Sequence, residues 1–163
     1  TDGTEVRPGM VPRVARFRVA LLGLAVCDAL GTAVEFQAPG SFAPVTEMTG
    51  GGVFGLEAGQ WTDDTSMALC LAESLIACRG FDARDQMERY VRWWRRGHWS
   101  STGHCFEIGA TVSAALRRFE STGVPLSGST DPRTAGNGSL MRLAPVPLWF
   151  ARDEVQAVHN AGR

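Results

Sequence analysis

A chain of 163 residues with 44% hydrophobic and 20% charged side chains has the balance of one folded domain rather than a disordered segment. Its formal net charge of -1 creates no field that would gather nucleic acid or an anionic membrane surface, so an anionic ligand has to be held by local groups. All 16 basic residues are arginine, whose guanidinium fork matches phosphate oxygens, although a codon bias yields the same composition.

Cys27, Cys70, Cys78 and Cys105 are far apart and form no Cys-x-x-Cys pair, which points to a reducing cytoplasm and away from a disulfide framework. His98, His104 and Cys105 are near one another in the chain but lack a fourth ligand at a zinc-like spacing.

Residues 1–13 read as a flexible N-terminal segment and residues 14–163 as part of a single domain. Met10, Arg13, Arg16 and Arg18 ahead of the apolar residues 19–26 have the order of a secretory leader. Asp28 interrupts that pattern, and the apolar run is shorter than the roughly 20 residues of a membrane span. Residues 14–36 read instead as a buried central helix, in which Gly23, Ala25, Ala29, Gly31 and Ala33 admit close neighbours. Pro39, Gly40, Pro44 and the triplet Gly50, Gly51, Gly52 then mark a long loop up to Gly59.

A second helix is predicted from Thr62 or Asp63 to a stop at Gly80, capped by its own first residues. Asp82 with Asp85 resembles a capping arrangement for a third helix ending at Gly97. A fourth is predicted over residues 106–121, with Ile108, Val112, Leu116 and Phe119 in its apolar stripe. After a polar loop over residues 123–133, residues 136–138 open a further helical stretch through Met141, Leu143, Val146 and Leu148. No alternating strand pattern and no repeat is visible, so the fold class is all-α.

Three runs carry chemistry. Trp61-Thr62-Asp63-Asp64-Thr65 sets two carboxylates and two hydroxyls at a helix start, a hard-oxygen set that suits magnesium or manganese and equally makes a strong N-cap. Asp28 and Glu35 would project from one face of the first helix, about 10 Å apart along its axis. Carboxylates on an apolar helix require a cation, hydrogen-bond donors or an arginine partner. Gly136-Asn137-Gly138-Ser139 has the form of a turn whose amides approach phosphate, or of an ordinary turn, with Arg142 beyond it. Trp93, Trp94 and Trp99 could stack on adenine or form core.

In this order the runs resemble the ADP-ribosylglycohydrolase family, which includes the dinitrogenase-reductase activating glycohydrolases. The resemblance rests on Asp28-Ala-Leu-Gly31 with Glu35, on residues 59–67 around Asp63 and Asp64, and on residues 136–142 with Pro145. It implies an orthogonal all-α bundle, here its N-terminal portion, with two magnesium ions in the complete domain. Thr62, Asp63, Asp64 and Glu35 would be metal ligands, Glu35 and Asp63 would also act on the scissile bond, and Gly136, Asn137, Gly138, Ser139, Leu140, Met141 and Arg142 would line the ADP-ribose pocket. The expected partner is ADP-ribose or an ADP-ribosylated protein, with neither nucleic acid nor membrane. Cys27 stands where the family usually has glycine, and the family's second carboxylate run, Asp-x-Asp-Thr, is absent. A non-catalytic ADP-ribose-binding half-domain is therefore the alternative to a hydrolase, and a magnesium-dependent phosphohydrolase explains only the oxygen ligands.

Overall fold

The structure, a computed structural model, describes residues 12–162. The expected flexible segment, residues 1–13, lies outside the described residues except for its last two, and Arg13 already opens a helix. Among the described residues seven helices follow in chain order: α1 Arg13–Gly31, α2 Asp63–Cys78, α3 Ala83–Arg96, α4 Ala110–Thr122, α5 Gly138–Met141, α6 Pro145–Trp149 and α7 Glu154–Ala161. Short 3-10 turns stand at Thr32–Val34 and Pro132–Thr134, and no strand occurs among the described residues. The all-α expectation therefore holds.

The central helix is α2, not α1. Its side chains are buried nearly all round, and Met67, Cys70, Leu71 and Leu75 join Tyr90 and Trp93 of α3, Val112 and Leu116 of α4 and Val146 of α6 in one core. Burying each of these large side chains contributes about 1.5–3 kcal/mol. Trp93 is part of that core rather than of a ligand site, and Trp94 lies under the Arg95 guanidinium, 3.7 Å from it.

The first helix corrects the sequence reading twice. Only Ala29 is buried within it, while Val14, Val19, Leu22 and Val26 are exposed, because among the described residues just its C-terminal end meets α2. It also stops at Gly31, so Asp28 and Glu35 do not share a helix face. Arg13–Val34 together has the length and a mean hydropathy of 1.7 that would suit a membrane span, longer than the apolar run read from the sequence. Asp28, however, is hydrogen-bonded into the start of α2, which ties this end to the helical body.

Asp82 caps α3 as expected, accepting bonds from the amides of Arg84 and Asp85. The fourth helix begins only at Ala110, four residues later than predicted, after Gly109 in extended conformation. The predicted stretch after Gly138 divides into α5 and α6, since Pro145 and Pro147 lack the amides that would continue the ladder. The last helix, capped by Asp153 through the Gln156 amide, was not foreseen.

Candidate functional site

A cavity of about 580 Å³ opens between the turn at Glu35 and Phe36, the loop tip at Phe54, the start of α2, residues 106–112 and the turn at residues 136–138. Glu35, Asp63, Asp64 and Glu107 line it, and no basic side chain does so among the described residues.

Asp28 sets the position of the α2 carboxylates. Its Oδ1 and Oδ2 accept from the Thr62 amide at 3.1 Å each, from Thr62 Oγ1 at 2.8 Å, from the Thr65 amide at 3.1 Å and from Thr65 Oγ1 at 2.6 Å. The cap of α2 thus comes from a residue 34 positions earlier, not from the helix's own first residues, and it answers what α1's buried-side carboxylate pairs with. With those amides satisfied from α1, Asp63 and Asp64 are free to face the cavity. Thr62 itself is buried behind them.

Glu35 reaches the cavity by leaving the helix. Its φ of -57° and ψ of 139°, the φ of 61° at Phe36 and the bond from the Gln37 amide to the Val34 carbonyl describe a type II turn. Glycine is favoured at the position Phe36 occupies.

Glu107, which sequence reasoning placed inside a helix, completes the acidic wall. It sits at the end of a loop pinned to α2: Glu73 accepts from Trp99 Nε1 at 2.9 Å and lies 2.7 Å from His98 Nε2, while Ser101 Oγ donates to the Trp61 carbonyl at 2.6 Å. Burial opposes ionisation of Glu73, but His98, Trp99 and the buried Arg89 together outweigh it and hold its carboxyl down at about 2. The one legible signal for Glu107 was Gly109, a helix-start residue that leaves residues 106–108 outside the helix.

The crowding of these acids is expressed in their protonation. Burial, then the charges of Asp64, Asp28 and Glu35, push Asp63 up to about 7. Burial and the charges of Asp63 and Glu35 push Glu107 to about 8, and its carboxyl meets that of Glu35. Glu35 and Asp64 are likewise raised, chiefly by burial. Glu107 Oε2 is buried without a hydrogen-bond partner. Excess negative charge and an orphaned oxygen are the chemistry of a site that accepts a hard cation and hydroxyl donors. Cys105 is different: burial and the Asp63 charge push its thiol up to about 11, which keeps it protonated beside these acids.

The first residues of α4 also line the cavity, just beyond Glu107. Gly109 provides no side-chain cap, and the amides of Ala110, Thr111 and Val112 precede the first intrahelical bond, from Ser113 to the Gly109 carbonyl. The Gly136 to Gly138 turn packs directly on this end: a Cβ at Gly138 would lie 2.7 Å from Val112 Cγ2. Gly136, Asn137, Gly138 and Met141 line the cavity. Ser139 and Arg142 face away from it, Arg142 stacking 4.9 Å over the Tyr90 ring, and Leu140 is exposed. A helix of four residues has little dipole, whereas α4, which also begins at the cavity, has 13 residues.

Comparison with known proteins gives the family of the chain. The sequence profile described as ADP-ribosylglycohydrolase matches residues 10–163. The chain is 48% identical over 137 residues to the ADP-ribosylarginine hydrolase Tri1 of Serratia proteamaculans (strain 568), covering 84% of this chain and 37% of that protein. It is 38% identical over 133 residues to the ADP-ribosyl-[dinitrogen reductase] glycohydrolase of Rhodospirillum rubrum, covering 79% of this chain and 42% of that protein. A solved structure, an ADP-ribosylglycohydrolase-related protein complex, superposes with a TM-score of 0.76 at 47% identity, covering 91% of this chain and 47% of that one. The chain thus spans less than half the length of these relatives. Its helices, its acidic cavity and these matches together place the chain in the ADP-ribosylglycohydrolase family.

Proposed function

We propose that this chain supplies one side of the active site of a magnesium-dependent hydrolase that cleaves the glycosidic bond between ADP-ribose and an acceptor, removing ADP-ribose from modified protein. The observation that carries the reading is a cavity lined by four carboxylates, by the first residues of α4 and by the glycine turn at residues 136–138. The names of the relatives favour an arginine acceptor, with serine the second linkage to test.

Asp63, Asp64 and Glu35 bring the hard oxygen donors that a magnesium ion takes to one cavity, with Thr62 buried behind them. The Thr62 hydroxyl donates its proton to Asp28, leaving its lone pairs for a metal, and the raised acids need positive charge. Two magnesium ions, with manganese as a substitute, would be held in the complete domain. When bound, the cation supplies charge that orients ribose hydroxyls and acidifies a water. Asp63 accepts a ribose hydroxyl. Glu35 and Glu107, whose carboxyls meet at the cavity wall, are the groups placed to give a proton to the leaving group and to take one from water. The α4 amides hold the diphosphate, and the packed glycine turn lets the ligand backbone approach. The four free cysteines support a cytoplasmic setting.

One observation favours the non-catalytic reading: among the described residues no three His, Cys, Asp or Glu side chains close on one cation position. Calorimetric titration of ADP-ribose with magnesium into the chain, its D63N and its D64N variants, run beside release of ADP-ribose from modified arginine, separates the two. Binding lost in the variants, with turnover, supports the hydrolase. Binding without turnover supports the half-domain, and no binding refutes both.

A further inference from the structure

The stretch between α3 and α4 enters the reading above only through Glu107, yet its first half is built to grip one residue at the start of α2. Gly97 ends α3 at φ 68°, where a Cβ would run into the Gly103 carbonyl, so residues 97–103 close a tight ring. Ser100 Oγ and Thr102 Oγ1 both donate to the His104 carbonyl, at 2.6 Å and 3.0 Å, and so fold the ring on itself. Ser101 Oγ, between them, points out of it and donates to the Trp61 carbonyl at 2.6 Å. Trp61 Nε1 donates back to the Trp99 carbonyl at 3.2 Å. Trp99 takes a φ of 62°, which strains a bulky residue, and in that conformation its carbonyl meets Trp61 while its indole meets Glu73.

The Trp61 carbonyl and the Thr62 amide belong to one planar peptide unit. Its N–H donates to both oxygens of Asp28 at 3.1 Å, while its C=O accepts from Ser101. One edge is therefore held by α1 and the other by the α3–α4 loop, which resists rotation of the unit about the chain. The next carbonyl, of Thr62, is fixed in turn by Ser66 Oγ at 2.8 Å. Asp63 and Asp64 follow at once, so the tilt of that peptide sets where their carboxylates stand in the cavity. The charge of Asp28 polarises the unit and strengthens the bond at its oxygen. The same loop runs on to Glu107, so the Ser101 hydroxyl joins the two walls that carry these acids.

We infer that Ser101 is a positioning residue of the site: through the peptide between Trp61 and Thr62 it works with Asp28 to hold Asp63 and Asp64 in register with Glu107. The inference rests on the hydrolase or ADP-ribose-binding reading above. The competing role is a staple that secures the loop and leaves the acids where they are.

The test compares the parent chain with Ser101→Ala, with Ser101→Thr, which keeps the hydroxyl, with Asp28→Asn, and with Ser101→Ala and Asp28→Asn combined. In the ligand-free chain, hydrogen exchange at the Thr62 amide should quicken about fivefold in Ser101→Ala, the worth of one hydrogen bond, and return to the parent rate in Ser101→Thr. In the Asp28→Asn background the alanine substitution should add about twofold at most, since the peptide has already lost its other anchor. Calorimetric titration of ADP-ribose with magnesium should show an affinity about fivefold lower in Ser101→Ala and restored in Ser101→Thr, with thermal melts confirming that each variant is folded. Exchange effects that multiply in full in the double variant overturn the inference. So does an ADP-ribose affinity that Ser101→Ala leaves unchanged, and either result would make Ser101 a staple. A Ser101→Thr variant as weak as Ser101→Ala overturns it as well. If the parent does not bind ADP-ribose, the functional reading fails and takes the inference with it.

Discussion

Replacing Asp28 by alanine tests how the site is assembled. The carboxylate receives four donors, the amides and hydroxyls of Thr62 and Thr65, and nothing else caps α2. Removing it strands two backbone amides at a buried helix start, at about 1–3 kcal/mol each, while the hydroxyls can turn to other acceptors. Losing a cap costs about 1 kcal/mol by itself, and the two descriptions overlap, so a net loss of about 3 kcal/mol is expected. For a chain of this length that is a fall in Tm of roughly 10 °C. Urea denaturation followed by circular dichroism gives the free energy directly. Asp28→Asn, which keeps one acceptor oxygen, should lie between parent and alanine. In a Thr65→Val background the alanine substitution should cost less by about 0.5 kcal/mol or more. A loss below about 0.5 kcal/mol for Asp28→Ala would refute a structural role for these bonds.

Because Asp63 is raised from 3.8 to about 7, the folded state binds more protons than the unfolded one between these values, and stability falls as pH rises through that window. Asp63→Asn should therefore be neutral near pH 4 and stabilising at pH 8, by up to about 4 kcal/mol, in urea melts at the two pH values; equal effects at both would contradict the crowding of the acids. Magnesium should raise the parent's Tm at pH 8 and not near pH 4. Gly138→Ala drives a Cβ to 2.7 Å from Val112 Cγ2 and should weaken ADP-ribose binding about tenfold, with recovery in the Gly138→Ala, Val112→Ala double variant. Glu73→Gln removes the charge that His98, Trp99 and Arg89 share, and should lower Tm by a few degrees and speed amide exchange across residues 99–107. Unchanged exchange would mean that the loop is held by Ser101 and Trp61 alone.

Helix identity was legible wherever the cause was local. The period of apolar residues and the turn residues Gly80, Asp82 and Gly97 mark α2 and α3 to within a residue or two, because caps and breakers act on the nearest few amides. The start of α4 was misjudged because apolar Phe106 and Ile108 fit a helical stripe, yet they serve the cavity wall instead. The burial of α1 was misjudged for a related reason: apolar composition says that a surface seeks cover, not which neighbour supplies it.

The sequence by itself determined the helical class, the family and the run of Asp63 and Asp64, since these follow from short-range spacing and residue type. Only the tertiary structure decided that Asp28 caps α2 instead of sharing a face with Glu35, that Glu107 joins the acids, and that Arg142 turns to Tyr90. Each of these depends on groups brought together across the fold, where burial and the summed field of several charges set both partner and protonation, and no local pattern encodes that distance.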